Sequence, residues 1–423
     1  MKIFRNNHSA TTDKDISSLS FWARPFAERD ETFAWLRRNA PVSWHPSVES
    51  PFVSPEVHGE AGFWAVVLAD DIEFVSQNHE LFSNEIGGVG LDPVAPGAPE
   101  YKTFLTFDPP KHTHYRKALA AAFTPKAVRR LDEMIRKRAH QIVSNVVGAG
   151  EIDLVEEVSS KLPMLTIADM VGVPESLVET FANAGNTLLS LDGETELPNG
   201  VSAVEFMHMQ LSILQQIGVD LVEFRREHPA DDIVSALAQY EWDGRRLNAD
   251  EIGSVMVLLS VAGNDTTKQT TTATVYALDR NPAQRRWLAA DFESRIPTAI
   301  EEFIRHASPV MQFARTATQD LELGGQQIAA GDKVCVFYCS GNRDESRFID
   351  PHRFDLAREA NRHIGFGGGG IHYCLGNGVA KAQLRALFSE IFTLLPNLSV
   401  VGEPKPLGGT FINGIRHLHV HTN

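Results

Sequence analysis

The chain reads as a mostly α protein with a small β-rich region and one long central helix. Three features predict this. Asn248 can cap a helix, Glu251 three residues on completes a capping-box pattern, and Asn281-Pro282 stops the run. About 32 residues at ~1.5 Å rise give roughly 48 Å, enough to cross a whole domain. A second helix-compatible stretch follows a glycine-rich turn and ends at Pro396, while Lys333-Val-Cys-Val-Phe-Tyr-Cys339 is β-rich. No Pro/Ser/Gly linker, low-complexity tract or internal repeat divides the 423 residues. A single domain over 1–423 is expected, with residues 1–20 as a flexible N-terminal extension.

Composition narrows the function classes. Hydrophobic residues at 43% with 22% charged residues are ordinary for a globular protein with a large core. A net charge of -15 disfavours nucleic acid, which needs a basic footprint. One segment runs against that background: Lys111 to Arg138 holds nine Lys/Arg against two Asp/Glu, a balance of +7. The N-terminus lacks an apolar signal core, and no stretch reaches the ~18 apolar residues of a membrane span, so a soluble, cytoplasmic protein is expected. Three cysteines argue against a disulfide framework. Cys335 and Cys339 share a face without metal-ligand spacing, which suits core packing.

Taken along the chain, Asp108-Pro-Pro-Lys-His112-Thr-His-Tyr-Arg116 gathers anion-binding types, with no further ligand nearby to make a metal site of His112 and His114. Ala262-Gly-Asn-Asp-Thr-Thr267 lies halfway along the long helix. These residues lower helix propensity, and Thr hydroxyls can bond back to a carbonyl and bend the turn. A helix weakened in its middle makes room for something. Glu302-Phe-Ile-Arg305 places opposite charges three apart on one helical face. Phe366-Gly-Gly-Gly-Gly-Ile-His-Tyr-Cys-Leu-Gly376 sets Cys374 at the mouth of the last helix, where the dipole and free N–H groups would lower its pKa and hold it as a metal ligand. Residues 365–370 also satisfy G-x-G-x-x-G, but the polar segment before them is not the strand a dinucleotide site requires. His417-Leu-His-Val-His421 alternates, placing three histidines on one face of a final strand, as an exposed face or an adventitious metal binder.

The loop around Cys374 resembles the haem-binding loop of the cytochrome P450 family. Its Phe stands eight residues before Cys rather than the commoner seven, a form similar to that of actinobacterial enzymes that oxidise steroid side chains and methyl-branched lipids. With the helix motif, Glu302-x-x-Arg305 and Pro351-His-Arg353-Phe354, the likeness spans residues from about 105 to 415. It implies a P450 fold with haem b between the long helix and the loop. Cys374 would be the axial thiolate on iron. Phe366 would shield the sulfur, with Gly376 closing the loop, and His112, Arg116, Arg315 and His372 would bind the two propionates. Ala262 and Gly263 would open the groove over the haem. Asp265, in contact with solvent, would relay protons, and Thr266 would hydrogen-bond the oxygen under activation. Glu302, Arg305 and Arg353 would form a structural triad behind the haem.

The implied reaction is insertion of one O2 atom into a C–H bond, with electrons from NAD(P)H through a reductase and an iron-sulfur ferredoxin. The chain leaves no room for a flavin or reductase domain, so these partners are expected as separate proteins and the enzyme as a monomer. A peroxide-driven peroxygenase, or a haem-thiolate sensor or carrier, would need no Asp265-Thr266 pair. Segments resembling pocket linings, namely 87–104, 181–209, 309–313 and 410–413, are mainly apolar. Val310, Met311, Phe313, Phe411 and Ile412 are therefore expected to line a pocket for a steroid, branched lipid or terpenoid.

Overall fold

The long helix forms because its ends are specified twice over. In the computed structural model, which describes residues 11–49, 62–91, 102–190 and 197–423, Asn248 Oδ1 accepts from Glu251 N at 2.8 Å and Glu251 Oε2 accepts from Asn248 N at 2.9 Å. The other elements are arranged around this axis.

In chain order the elements used below are α1 (Phe26–Asn39), β1 (Val42–Pro46), β2 (Gly62–Val66), α2 (Ala69–Gln77), β3 (Phe82–Ser83), α3 (Lys111–Ala120), α4 (Pro125–Ser144) and β4 (Glu151–Asp153). Then come α5 (Lys161–Val171), α6 (Glu175–Ser190), α7 (Ala203–Glu227), the long α8 (Ala249–Arg280), α9 (Phe292–Ala307), β5 (Phe313–Ala317) and β6 (Lys333–Val336). The chain closes with α10 (Asn377–Leu394), β7 (Ser399–Val400), β8 (Lys405–Leu407), β9 (Gly414–His417) and β10 (His419–His421).

Two apolar clusters flank α8. On one side Val275 and Leu278 pack with Phe303 of α9 and Phe388 of α10; on the other, Val255, Met256 and Leu259 pack with Ile167 of α5 and Leu214 of α7. A five-stranded sheet in the order β1-β2-β6-β5-β3 stands to one side of the helices. It is antiparallel except between β2 and β6. Ile16 is fully buried beside Phe21, Trp22 and Phe337, so the segment expected as an N-terminal extension is anchored to the core at that residue; residues 1–10 lie outside the described residues. Cys335 and Cys339 are buried as expected, although the strand ends at Val336 and Cys339 belongs to a helical turn. The three C-terminal histidines divide between two strands. Leu418 is buried at the break, and β9 pairs with β8 whereas β10 joins β4 and β7.

Behind the Cys374 loop one carboxylate gathers five donors. Glu302 Oε1 accepts from Arg305 Nη2 at 2.8 Å and Asp355 N at 2.9 Å. Its Oε2 accepts from Arg305 Nε at 2.7 Å, Asn361 Nδ2 at 3.0 Å and Arg358 Nε at 3.2 Å. The third charged partner is thus Arg358, not Arg353. The Arg353 side chain is 62% exposed and reaches Asp355 at 3.7 Å; only its carbonyl enters the network, from Arg305 Nη2 at 3.2 Å and Arg358 Nη2 at 2.8 Å.

The glycine-rich turn lies on the end of α2, where Gln77 Nε2 donates to the Gly368 carbonyl at 3.0 Å. Gly370 has φ +72°, and a Cβ there would collide with the Ser76 carbonyl. That turn requires glycine on both backbone and steric grounds.

Two predictions follow from this framework. Arg358→Ala, which leaves a buried carboxylate short of a cation, should lower unfolding free energy by about 3–5 kcal/mol, whereas Arg353→Ala should stay within about 1 kcal/mol. Urea midpoints of the two variants decide between them; equal losses would return the role to Arg353. Gly402 also has a positive φ, but a Cβ there meets nothing within 4 Å. Gly402→Ala should therefore cost about 1–2 kcal/mol through the backbone alone, and Gly370→Ala about 2–5 kcal/mol, because the collision adds to it. The same denaturation series measures both.

Candidate active site

Leu258, Ala262 and Thr266 recur every fourth residue on α8 and so share one face. All three keep exposed surface halfway along a helix that is otherwise largely buried, Ala262 most of all. The helix itself is unbroken through the motif. Thr266 Oγ1 donates back to the Ala262 carbonyl at 3.1 Å and Thr270 Oγ1 to the Thr266 carbonyl at 2.8 Å, so the hydroxyls are accommodated within a regular helix. The open face is produced by small side chains, not by a break.

Two neighbours of that face differ from expectation. Gly263 faces α5: a Cβ there would collide with Ile167, so its missing side chain permits close helix packing, while Ala262 keeps the open groove. Asp265 has no exposed surface and pairs with Lys268 one turn on, whose side chain is 8% exposed. One residue along a helix is about 100° around it, which turns Asp265 away from the face that Thr266 occupies. Lys268 was missed in the sequence, although Asp265-x-x-Lys268 carries the three-residue spacing of a helical ion pair. Asn264 Nδ2 similarly donates to Asn186 Oδ1 on α6.

The Cys374 loop enters α10 as anticipated. Cys374 N donates to the Phe366 carbonyl at 2.9 Å, and Asn377 Nδ2 donates to the Cys374 carbonyl at 2.8 Å. Burial pushes the Cys374 thiol up, against the opposing effect of the Gly376 and Asn377 N–H groups and Arg116. Desolvation therefore outweighs the helix terminus, contrary to the sequence expectation of a lowered pKa. The N–H groups remain in position to hold an anionic sulfur once a metal supplies the missing charge. Phe366 packs beside the loop, with its ring 6.3 Å from that of Tyr373 and the Lys381 ammonium 5.4 Å from its centre.

A cluster of polar groups on the same side tests whether a haem fits. The His112 and His372 rings stand 4.2 Å apart. His112 is 1% exposed with neither ring nitrogen hydrogen-bonded, and His372 Nε2 is buried without a partner. Burial lowers His112 to about 4 and His372 to about 2, the latter reinforced by the charge on Arg315. Arg116 Nη2 reaches the Tyr373 carbonyl at 2.6 Å, and buried Arg315 reaches the Ala314 carbonyl at 2.7 Å. Two cations and two unpartnered imidazoles form a site short of anions, which suits the two carboxylates of a haem. The residues present fit the group.

Of the residues expected to line a substrate wall, Val310, Phe313, Phe411 and Ile412 lie together and Met311 does not join them. Val310 bridges Ile412, and Phe313 packs edge-on to Phe411 at 5.3 Å. Val310, Phe313 and Phe411 keep exposed surface, and Ile412 is buried behind them. Met311 does not line the wall. It is fully buried in the N-terminal cluster, where its sulfur accepts from Arg29 Nη1 at 3.0 Å. Residues 92–101 and 191–196 of the other expected lining segments lie outside the described residues.

Comparison with known proteins agrees with this geometry. The family model for cytochrome P450 matches residues 295–400. A methyl-branched lipid omega-hydroxylase of Mycobacterium bovis is 41% identical over 414 residues, covering 96% of this chain and 94% of the relative. A steroid C26-monooxygenase of the same organism is 36% identical over 397 residues, covering 92% of this chain and 88% of the relative. The solved structure of a Mycobacterium marinum cytochrome P450 in complex with pseudoionone is 44% identical, covers 97% of this chain and 98% of that one, and superposes with a TM-score of 0.92. A cysteine loop at a helix entrance, a long helix with an open face at its middle and relatives that align along nearly the whole sequence lead to one assignment: the chain belongs to the cytochrome P450 family, the haem-dependent monooxygenases.

Proposed function

We propose that this enzyme hydroxylates an apolar lipid, a methyl-branched lipid or a steroid side chain before a terpenoid, with electrons from NAD(P)H carried by a reductase and an iron-sulfur ferredoxin. The observation that carries the substrate class is the 41% identity, over 96% of the chain, to a methyl-branched lipid omega-hydroxylase. The partly exposed apolar wall of Val310, Phe313 and Phe411 supports it, since such a surface gains by covering hydrocarbon.

Bound haem supplies the reductive activation of O2 that transfers one oxygen atom to a C–H bond. The chain contributes the rest. Cys374 offers its sulfur to the iron, and the Gly376 and Asn377 N–H groups stabilise the charge on it. His112, Arg116, Arg315 and His372 would hold the haem carboxylates, and Ala262 would leave room for the ring. Thr266 Oγ1 holds a proton that rotation away from the Ala262 carbonyl would present to the open face. Asp265, tied to Lys268 on the packed side of α8, would take part in resupplying that hydroxyl only when the pair opens toward Thr266.

The substrate and the proton step are tested together. Branched fatty acids and steroids should shift ferric haem toward high spin and be hydroxylated in a system reconstituted with ferredoxin and reductase. Thr266→Ala should still consume NAD(P)H but form about tenfold or more less product per reductant, releasing peroxide. A spin shift confined to small charged aromatics would refute the substrate class, and unchanged coupling would make the hydroxyl dispensable. Cys374→Ala must lose the thiolate signature of the reduced, CO-bound protein.

The basic segment is the proposed docking face for the ferredoxin. Arg116 of α3 contacts the Cys374 loop through the Tyr373 carbonyl, and Val128 of α4 lies opposite Gly378 at the entrance of α10. Lys117, Lys126 and Arg129 are exposed on these helices, whereas Arg130 reaches Asp231 at 3.3 Å and Arg136 reaches Asp132 at 2.5 Å. An acidic partner would be steered to this patch, more weakly as the Debye length falls from roughly 30 Å at 0.01 M salt to about 10 Å at 0.1 M. Lys117→Glu, Lys126→Glu and Arg129→Glu together should slow ferredoxin-driven reduction and flatten its salt dependence while leaving substrate binding intact. Unaltered reduction kinetics in stopped flow would move the docking face elsewhere.

A further inference from the structure

Far along the chain from the haem-binding residues, β4 and β9 bring two carboxylates onto one imidazole. Asp153 ends β4, Glu156 stands three residues on in the first turn of a π-helical segment (Val155–Ser159), and His417 ends β9. One ligand atom from each lies within 4.8 Å of the other two. The arrangement is fixed largely by backbone. Asp153 Oδ1 accepts from Val155 N at 2.9 Å and from Leu418 N at 3.2 Å, which leaves Oδ2 aimed at His417 Nδ1 at 2.6 Å. Pairing of β4 with β10, in the register Asp153 opposite His419, and the bond from Leu154 N to the Leu418 carbonyl at 2.8 Å hold the two chain segments together.

Glu156 brings a second carboxylate beside the Asp153–His417 pair, and a single imidazole can balance at most one of the two negative charges. We propose that Asp153, Glu156 and His417 form a binding site for a divalent transition metal ion of the zinc class. One nitrogen and two carboxylate oxygens are a donor set that Zn2+, Co2+ and Ni2+ accept, whereas Mg2+ and Ca2+ take all-oxygen shells with six or more ligands. Zn–N and Zn–O bonds of about 2.0–2.2 Å set neighbouring donors roughly 3.3–3.6 Å apart, so the Asp153–His417 pair, at 2.6 Å, opens slightly while Glu156 moves in. Glu156 is exposed, so a rotamer change on one side chain can close the set around donors already fixed on strands. Metal and proton then compete for the Asp153–His417 pair, because the ion takes the place of their shared hydrogen bond.

The position gives such an ion a mechanical role. The segment that ends at His417 begins at the substrate wall, with Phe411 and Ile412, and is fastened midway where Ile415 N donates to Gln269 Oε1 on α8 at 2.8 Å. A metal at His417 would pin the far end of this segment to β4, joining the C-terminal strands to the middle of the chain.

The test is titration of chelator-treated holoenzyme with ZnCl2 by calorimetry, with thermal unfolding followed in parallel. Wild type should bind one equivalent and unfold at a higher temperature with zinc. Glu156→Gln, at an exposed position that leaves the fold intact, and His417→Ala should each weaken binding at least about tenfold and lose the thermal shift. His421→Ala, on the neighbouring strand, should bind as wild type does. The proposal is overturned if wild type takes up no zinc, if Glu156→Gln binds as tightly as wild type, or if His421→Ala loses binding equally, which would assign the ion to the exposed histidines instead.

Discussion

One buried carboxylate holds the proximal half of this protein together. Glu302 and Arg305 are both fully inaccessible, and removing two charges from water is unfavourable unless every lone pair and proton finds a partner. The structure meets that condition on both sides. Glu302 takes five donors, while Arg305 continues outward to the carbonyls of Asn342, Pro351 and Arg353. Asn342 in turn accepts from Ile364 N at 2.8 Å, directly ahead of the glycine-rich turn. The meander between β6 and Cys374 has little regular structure of its own, so its conformation is set by this network rather than by a ladder or helix. The position of the Cys374 sulfur follows from it.

Above the loop, α8 meets two opposed requirements along one helix. Its Ala262 and Thr266 face must be open enough to admit a flat cofactor, yet the opposite side must pack against α5, α6 and α7. Gly263 and Asn264 satisfy the second requirement, through the close approach to Ile167 and the contact with Asn186. Asp265 and Lys268 form an ion pair within the packed side. The low dielectric there makes separating them unfavourable, so the pair adds to what holds α8 against its neighbours.

Much of this was legible in the sequence because it depends on local chemistry. The capping box of Asn248 and Glu251, the stop at Asn281-Pro282, the glycine-rich turn before Cys374 and the charge balance between Lys111 and Arg138 each involve residues a few positions apart. The same is true of the Glu302-Arg305 pair, whose spacing on a helix determines that they meet. The resemblance to the haem loop added the roles of His112 and His372, which stand 260 residues apart and which no local pattern connects.

What the tertiary structure decided were the positions where two candidates stood close together in sequence and only one faced the right way. Arg358 rather than Arg353 joins Glu302 because the turn between them swings the Arg353 side chain into solvent. Met311 parts from Val310 because it packs into the N-terminal aromatic cluster, where Arg29 donates to its sulfur. Gly263 packs on Ile167, and Asp265 is buried on Lys268, because α5 and α6 cover that side of α8. Cys374 gains a raised pKa because its surroundings exclude water more than its helix terminus favours charge. Sequence by itself determined which groups were available, since spacing along a helix or strand is a property of the chain. Which way each group points, and what it loses in hydration there, depends on the elements packed against it, and that only the folded structure decides.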